Sequence, residues 1–249
     1  MSKVLRHFFT VVALLAPVTT LQAGRFYADF NSGEPPGSRI SGDAMFNPGA
    51  GVDDSGMLRL TVPDKNRQGA FIVEDFDEKR KVIGFVADFK MLIGGGGNRG
   101  ADGMSFNFAR QIPPSIGEAG SETGLVISFD TYKEASGPPE ILVKYFNETL
   151  KTVELAKLRT GNVFVDVQIK LATNKLLTVT YDGRLLLECE VTDYKPLGGA
   201  EFGFGARTGS SFDSHVIDEL SIVTTVERKS GPNSRSTNPV PQSTTVAKD

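Results

Sequence analysis

The sequence predicts an all-β sandwich or jelly roll, on three observations. Apolar residues recur at every second position in Ile141-Leu142-Val143-Lys144-Tyr145 and from Val163 to Leu171, the period of strands covered on one face. Thr178 to Tyr181 and Arg184 to Leu187 flank Asp182-Gly183, a pair that readily takes the positive φ values of a two-residue hairpin turn. Finally, 27 glycines and 13 prolines in 249 residues, with almost no helical period, argue against alternating α/β units.

Taken in order, residues 1–23 read as a secretory signal. Lys3 and Arg6 give a positive start, Phe8 to Val18 an apolar run, and Leu21-Gln22-Ala23 a small-residue cleavage site before Gly24. The run is much shorter than the roughly 20 apolar residues of a membrane span, and no later segment is long enough, so no transmembrane segment is expected. The expected mature chain is exported, secreted or periplasmic. Removing Lys3 and Arg6 from 27 basic side chains against 30 acidic ones makes it more acidic than the formal −3 of the whole. That balance argues against nucleic acid and against an anionic membrane as partners, since both reward a basic face. The single cysteine, Cys189, excludes an intramolecular disulfide, so stability must come from a core. Cys189 shares its parity with Leu185, Leu187 and Val191, which makes it core filler rather than a nucleophile.

From Arg25 to Val226 the period is mainly two. Ile83, Phe85, Ala87, Phe89 and Met91 form one face, opposite Asp88 and Lys90. Glu148 to Arg159 is helical by composition, but Leu150, Val153, Leu155 and Leu158 fit neither period, and strand plus loop is the reading adopted. From Glu227 to Asp249 the chain holds Ser, Thr, Pro, Asn and Lys with few large apolar side chains, the composition of a disordered tail. One domain is therefore expected, over residues 24–226.

Three stretches occur in a telling order: Gly94 to Ala109 (GGGGNRGADGMSFNFA), Gly124 to Tyr132 (GLVISFDTY) and Phe202 to Ile222 (FGFGARTGSSFDSHVIDELSI). In them the chain resembles the L-type, legume-lectin-like branch of the concanavalin A-like superfamily, and within it the bacterial lectin-like domains. The resemblance implies a jelly-roll sandwich of antiparallel sheets and non-catalytic recognition of a carbohydrate or glycoconjugate. It maps the sugar-binding aspartate onto Asp102 of Ala101-Asp102-Gly103, with a cis peptide before it. Gly103, Asn107, Tyr132, Phe212 and Asp213 are the further ligand-site candidates, although strand parity also allows Asn107 a solvated face. Asp102-Gly103 as a plain turn is the bland alternative. With no tryptophan in the chain, an aromatic platform would have to be Tyr132, Phe212 or another Phe or Tyr.

The resemblance also implies a calcium site, with Asp130 and the carbonyl of Tyr132 in the first two places. The next two fall on Glu134 and near Glu140, where the family pattern has asparagine and aspartate. Calcium takes six to eight oxygens in flexible geometry, so an altered site and a lost one both stay open. Ser128 and Lys144 stand where the companion transition-metal site needs an acid and a histidine, so no manganese is expected. Retaining glucanases of the superfamily carry glutamates on either side of an aspartate, a nucleophile and an acid about 5 Å apart. Here the first of those positions is Ser128, which leaves a hydrolase as the third choice. His215, in Phe212-Asp213-Ser214-His215, has no Gly-x-Ser-x-Gly elbow to serve. Asp218 and Glu219 are expected to be solvated, and Arg207 to brace the loop after it. The main rival is a structural or adhesive envelope protein using the sandwich for protein contacts. Pairing into a homo-oligomer through the flat sheets is a further expectation.

Overall fold

The computed structural model describes residues 22–97, 100–132 and 137–227. The expected signal up to residue 21, the expected tail from residue 228 and Glu134 lie outside the described residues. Two antiparallel sheets face each other. The first is built on the long strands β6 (Lys81–Gly94) and β16 (Ser214–Val226), which pair along most of their length. On one side of β6 stand β11 (Val165–Leu171), β12 (Leu176–Tyr181) and β13 (Arg184–Glu190); β14 (Leu197–Gly198) pairs the start of β6. On the side of β16 stand β4 (Met57–Thr61), β3 (Met45–Asn47) and β1 (Gln22–Ala28). The second sheet runs, from edge to edge, β10 (Glu148–Glu154), β9 (Glu140–Tyr145), β8 (Leu125–Asp130), β7 (Gly103–Ala109), β15 (Glu201–Arg207), β5 (Gln68–Val73) and β2 (Ser38–Gly42). The expected sandwich of antiparallel sheets is thus the observed architecture, and no described helix is long and apolar enough to cross a membrane.

Phenylalanine fills the space between the sheets. Phe85 and Phe89 of β6 meet Phe108, Phe202 and Phe204 with ring centroids 5.0 to 5.2 Å apart, two of these pairs edge-to-face, and Phe108 lies 4.8 Å from Phe202. These rings, with Phe106 and Phe71, are fully buried or nearly so. Aromatic pairs at such spacings add to what area burial supplies.

Local departures from strict alternation correct several expectations. The Asp182-Gly183 turn forms with φ of 49° and 71°, as the sequence predicts. Just beyond it the register slips by one residue at Leu186, so Leu187 is buried while Leu185 turns outward, 60% exposed. Cys189 keeps the inward parity, half-buried against the core, and burial pushes its thiol up. A similar slip at Ile83 puts Val82 in the core instead. The Val163 to Leu171 alternation yields a strand only from Val165, and Val163 is exposed. Asp218, expected in solvent, is fully buried, its carboxylate accepting from Val52 N and Ser55 Oγ, while Glu219 is exposed as expected. His215 is also fully buried, with Nδ1 2.7 Å from Thr61 Oγ1, and desolvation pushes its pKa down to about 3, so it is a neutral core residue.

The centre of the second sheet departs most from a one-sided strand. β7 is buried on both faces, because residues 110–123 lie across its outer side. Ile112 and Ile116 pack there on Ala70, Ile72 and Ala109. Polar side chains pointing outward hold this cover down: Ser105 Oγ donates to Gly117 O, Ser128 Oγ to Glu118 O, Lys144 Nζ to Ala119 O, and Asn107 Oδ1 accepts from Ser121 N.

Truncating one core ring tests this packing. Phe202→Ala is expected to lower the unfolding free energy by ~3–5 kcal/mol in a urea titration with little change in slope; a loss below ~1 kcal/mol would show that the sheets do not depend on the phenylalanine layer.

Candidate functional site

Loops from three parts of the chain converge at one end of the second sheet. One runs from β6 through Gly94 to Asp102, one follows β8 after Asp130, and one joins Arg207 to Ser214. Asp102 stands among them, and its backbone is fixed at both ends. Its N–H donates to Arg207 O at 2.9 Å, and its carbonyl accepts from Thr131 N, Tyr132 N and Thr131 Oγ1 at 3.0 to 3.2 Å. The Ala101–Asp102 peptide is cis, as the resemblance implies. Gly103 follows with φ of 150°, and a Cβ there would run into the carbonyl of Phe129 on the neighbouring strand, so only glycine permits this approach.

The Asp102 carboxylate, 15% exposed, lies 3.3 Å from Arg207 Nε. The same guanidinium grips Glu118 of the cover with both nitrogens, Nε to Oε2 at 3.0 Å and a terminal nitrogen to Oε1 at 2.7 Å. Desolvation pushes the Asp102 carboxyl up, reinforced by Glu118 and opposed by Arg207 and the Gly209 amide. Asp130 sits behind, accepting from Tyr132 N at 2.9 Å and facing Gly103 and Glu140 on the adjoining strands. Burial, and then the negative charges of Glu140, Glu118 and Asp102, push its carboxyl up to about 6 against the pull of the Tyr132 amide. The Tyr132 side chain is 39% exposed beside these groups.

The remaining candidates lie beneath the surface or at its edge. Asp213 is fully buried; Arg159 donates to both of its oxygens at 2.7 Å, and Gly96 N to Oδ1 at 3.0 Å. Arg159 also reaches the carbonyls of Gly96 and Gly97, so this pair buckles the glycine-rich loop to the loop after β15. Asp213 therefore shapes the rim from below rather than facing a ligand. Phe212 is half-buried with its carbonyl against Gly96, an approach that leaves no room for a Cβ at that glycine. Asn107 is fully buried, its amide nitrogen donating to Ser105 Oγ and its oxygen accepting from Ser121 N, on the covered rather than a solvated face. The structure thus gathers Asp102, Gly103, Asp130 and Tyr132 with Arg207, and leaves Asn107 and Asp213 as supports. Glu118 and Arg159 were missed by sequence reasoning. Their partners lie 89 and 54 residues away, and no local pattern marks either.

The partly exposed Asp102 carboxylate keeps acceptor capacity beside the Arg207 guanidinium, an arrangement able to accept hydrogen bonds from hydroxyl groups. Ser128, at the position of the glucanase nucleophile, is buried and bonded to Glu118 O. Among the described residues no group of three Asp, Glu, His or Cys side chains is placed to hold a metal ion. Asp130 and Glu140 face each other nonetheless, and the raised Asp130 carboxyl marks a place short of positive charge.

In fold the chain is similar to several lectin domains of known structure. Among solved structures, lectin II from Ulex europaeus is similar with a TM-score of 0.65 at 19% identity, over 83% of this chain and 100% of that one. Basic winged bean lectin with Tn-antigen gives 0.63 at 20% identity, over 81% and 98%. The exoplasmic/lumenal domain of VIP36, in its Ca2+/Man3GlcNAc-bound form, gives 0.61 at 17% identity, over 79% and 87%. No protein-family model and no curated protein sequence matches.

The charge at Asp130 has a consequence for stability. Its carboxyl keeps a proton in the folded state between its ordinary 3.8 and about 6, where the unfolded chain has lost it, so stability falls as pH rises through that window. With a chelator present, Asp130→Asn is expected to raise the melting temperature by a few degrees at pH 7.5, the gain shrinking toward pH 4. A lower melting temperature at pH 7.5 would mean that the carboxylate holds the loops.

Proposed function

We propose that this protein is an exported, non-catalytic carbohydrate-binding protein whose site is centred on Asp102. The observation that carries the reading is the Asp102 carboxylate itself. Protein groups fix its backbone on both sides, and the carboxylate stays partly exposed with the Arg207 guanidinium 3.3 Å from one of its oxygens, while Tyr132, whose N–H bonds the Asp102 carbonyl, is exposed in the adjoining loop. Charge-assisted hydrogen bonds from sugar hydroxyls to such a carboxylate are among the stronger neutral-ligand contacts a shallow site can make. The likeness in fold to plant lectins and to the VIP36 domain, which was solved in Ca2+/Man-bound and Ca2+/Man3GlcNAc-bound forms, supports the same reading. The expected export agrees with the exoplasmic/lumenal placement named for that domain.

Calcium belongs to the proposal as the cation at Asp130 and Glu140, with the Tyr132 carbonyl as a third oxygen. The support is electrostatic: a half-buried carboxyl facing three others gains from a divalent neighbour. VIP36 was also solved in a Ca2+-bound form. When bound, calcium would order the loop after β8 beside Asp102. The ligand contacts themselves are assigned to Asp102, Tyr132 and Arg207, with Gly103 providing the close approach and Phe212 the rim.

The experiment is a glycan array probed with the purified mature domain, in calcium and in chelator. Binding is expected, and Asp102→Asn is expected to weaken it at least ~10-fold while shifting the melting temperature by no more than a few degrees. A large loss of stability in that variant would make Asp102 a structural turn residue, and an array blank in both conditions would favour the structural or adhesive protein. Calcium at millimolar concentration is expected to raise the melting temperature more at pH 7.5 than at pH 5, since Asp130 must release its proton to bind it. No shift at either pH removes the metal and leaves the sugar site standing.

A further inference from the structure

At the opposite end of the second sheet lies a cavity of about 900 Å3. Asp102 precedes the first residue of β7 and Arg110 follows its last, so at ~3.4 Å per residue the cavity stands more than roughly 20 Å from the Asp102 carboxylate. Its volume is at the upper end of what small organic ligands occupy. Pro113, Pro114, Leu197 and Phe146 make much of its wall, with Arg110 among them.

Two features set this cavity apart from an incidental fold in the surface. The first is its charge arrangement. Glu74 and Glu201 both pair with Arg39, at 3.3 and 3.0 Å, and Glu201 also accepts from Ile112 N at 2.7 Å. Both acids are therefore committed, while Arg110 is exposed and has no ion-pair partner among the described residues. The second is the turn between β9 and β10, where Phe146 and Asn147 take φ of 48° and 64°. A two-residue turn of this hand favours Asn, Asp or Gly at its first position, and a phenylalanine there holds a conformation that its Cβ disfavours. Phe146 N–H is bonded to Gly124 O at 2.8 Å, and its ring stands edge-on to Tyr145 at 4.8 Å. The ring is nevertheless 52% exposed at the cavity. An aromatic side chain kept at a disfavoured backbone position, and not buried by it, points to a ligand.

We propose that this cavity binds a small amphipathic carboxylate, its apolar body on Phe146, the two prolines and Leu197, and its carboxylate on the Arg110 guanidinium. The mostly apolar wall sets the ligand apart from a saccharide, and the uncommitted guanidinium fixes the sign of its charge. The site is independent of Asp102 and of whatever binds there.

The test is a ligand-detected NMR titration of the full mature chain with hydrocinnamate and its neutral analogue hydrocinnamyl alcohol. Hydrocinnamate is expected to bind at least ~10-fold more tightly than the alcohol. Arg110→Gln is expected to abolish that preference while leaving the alcohol unaffected. Phe146→Asn, a residue the turn accepts readily, is expected to weaken both ligands with no loss of melting temperature. Asp102→Asn is expected to change neither. Equal affinity for acid and alcohol, no binding of hydrocinnamate, or binding untouched by Arg110→Gln overturns the proposal. Displacement of hydrocinnamate by free mannose does so too, because the cavity would then be a saccharide site.

Discussion

A buried polar group must find a partner, and in this protein that constraint governs the second sheet. β7 and β8 run through its centre, and their outward positions carry Ser105, Asn107 and Ser128 beside the apolar Ala109 and Val126. Left bare, these groups would face water. Here residues 110–123 lie over them, and each polar side chain takes a backbone group of the covering segment. The exchange satisfies the loop's own peptides as well as the strands' side chains. A long connection thereby becomes a layer of the fold, with Ile112 and Ile116 sealing it against the sheet.

The covering segment also sets the chemistry at both ends of the sheet. Near one end it delivers Glu118 to Arg207, and so fixes the guanidinium beside Asp102. Near the other it supplies Arg110, Pro113 and Pro114 to the large cavity. The loops around Asp102 are braced separately by Arg159 and Asp213, and because the acid is fully buried, removing Arg159 would strand its charge away from water. Three carboxylates, those of Glu140, Glu118 and Asp102, gather around Asp130 with Arg207 against them, which is why burial and repulsion act together on that residue.

The sandwich was legible because alternation reports a covered face directly. The Asp182-Gly183 hairpin was legible because its turn chemistry is local. What escaped the sequence was one-residue slippage and contact over long separations. Bulges at Ile83 and Leu186 reverse the side that parity assigns, and no residue type announces them. Asn107 could be placed on the outer face but not known to be roofed over, since the roof comes from a segment with no period of its own. Asp218 looks like any surface acid until the turn at Val52 to Ser55 is brought against it. That Asp102, Asp130 and Tyr132 lie together was readable from a resemblance in short strings, while the contacts of Glu118 and Arg159 depended on the finished fold.

The slip at Leu186 also bears on how the molecule behaves in a crowd. β13 is the last strand of its sheet, and an end strand offers unpaired peptide groups to any passing chain. A straight strand would offer them in an unbroken row, a template on which fibrils can grow. The extra residue bends this one and breaks the row partway along. Leu185 is left outside, yet the backbone beside it cannot be copied in register, so the irregularity that spoils the parity also guards the open edge against aggregation.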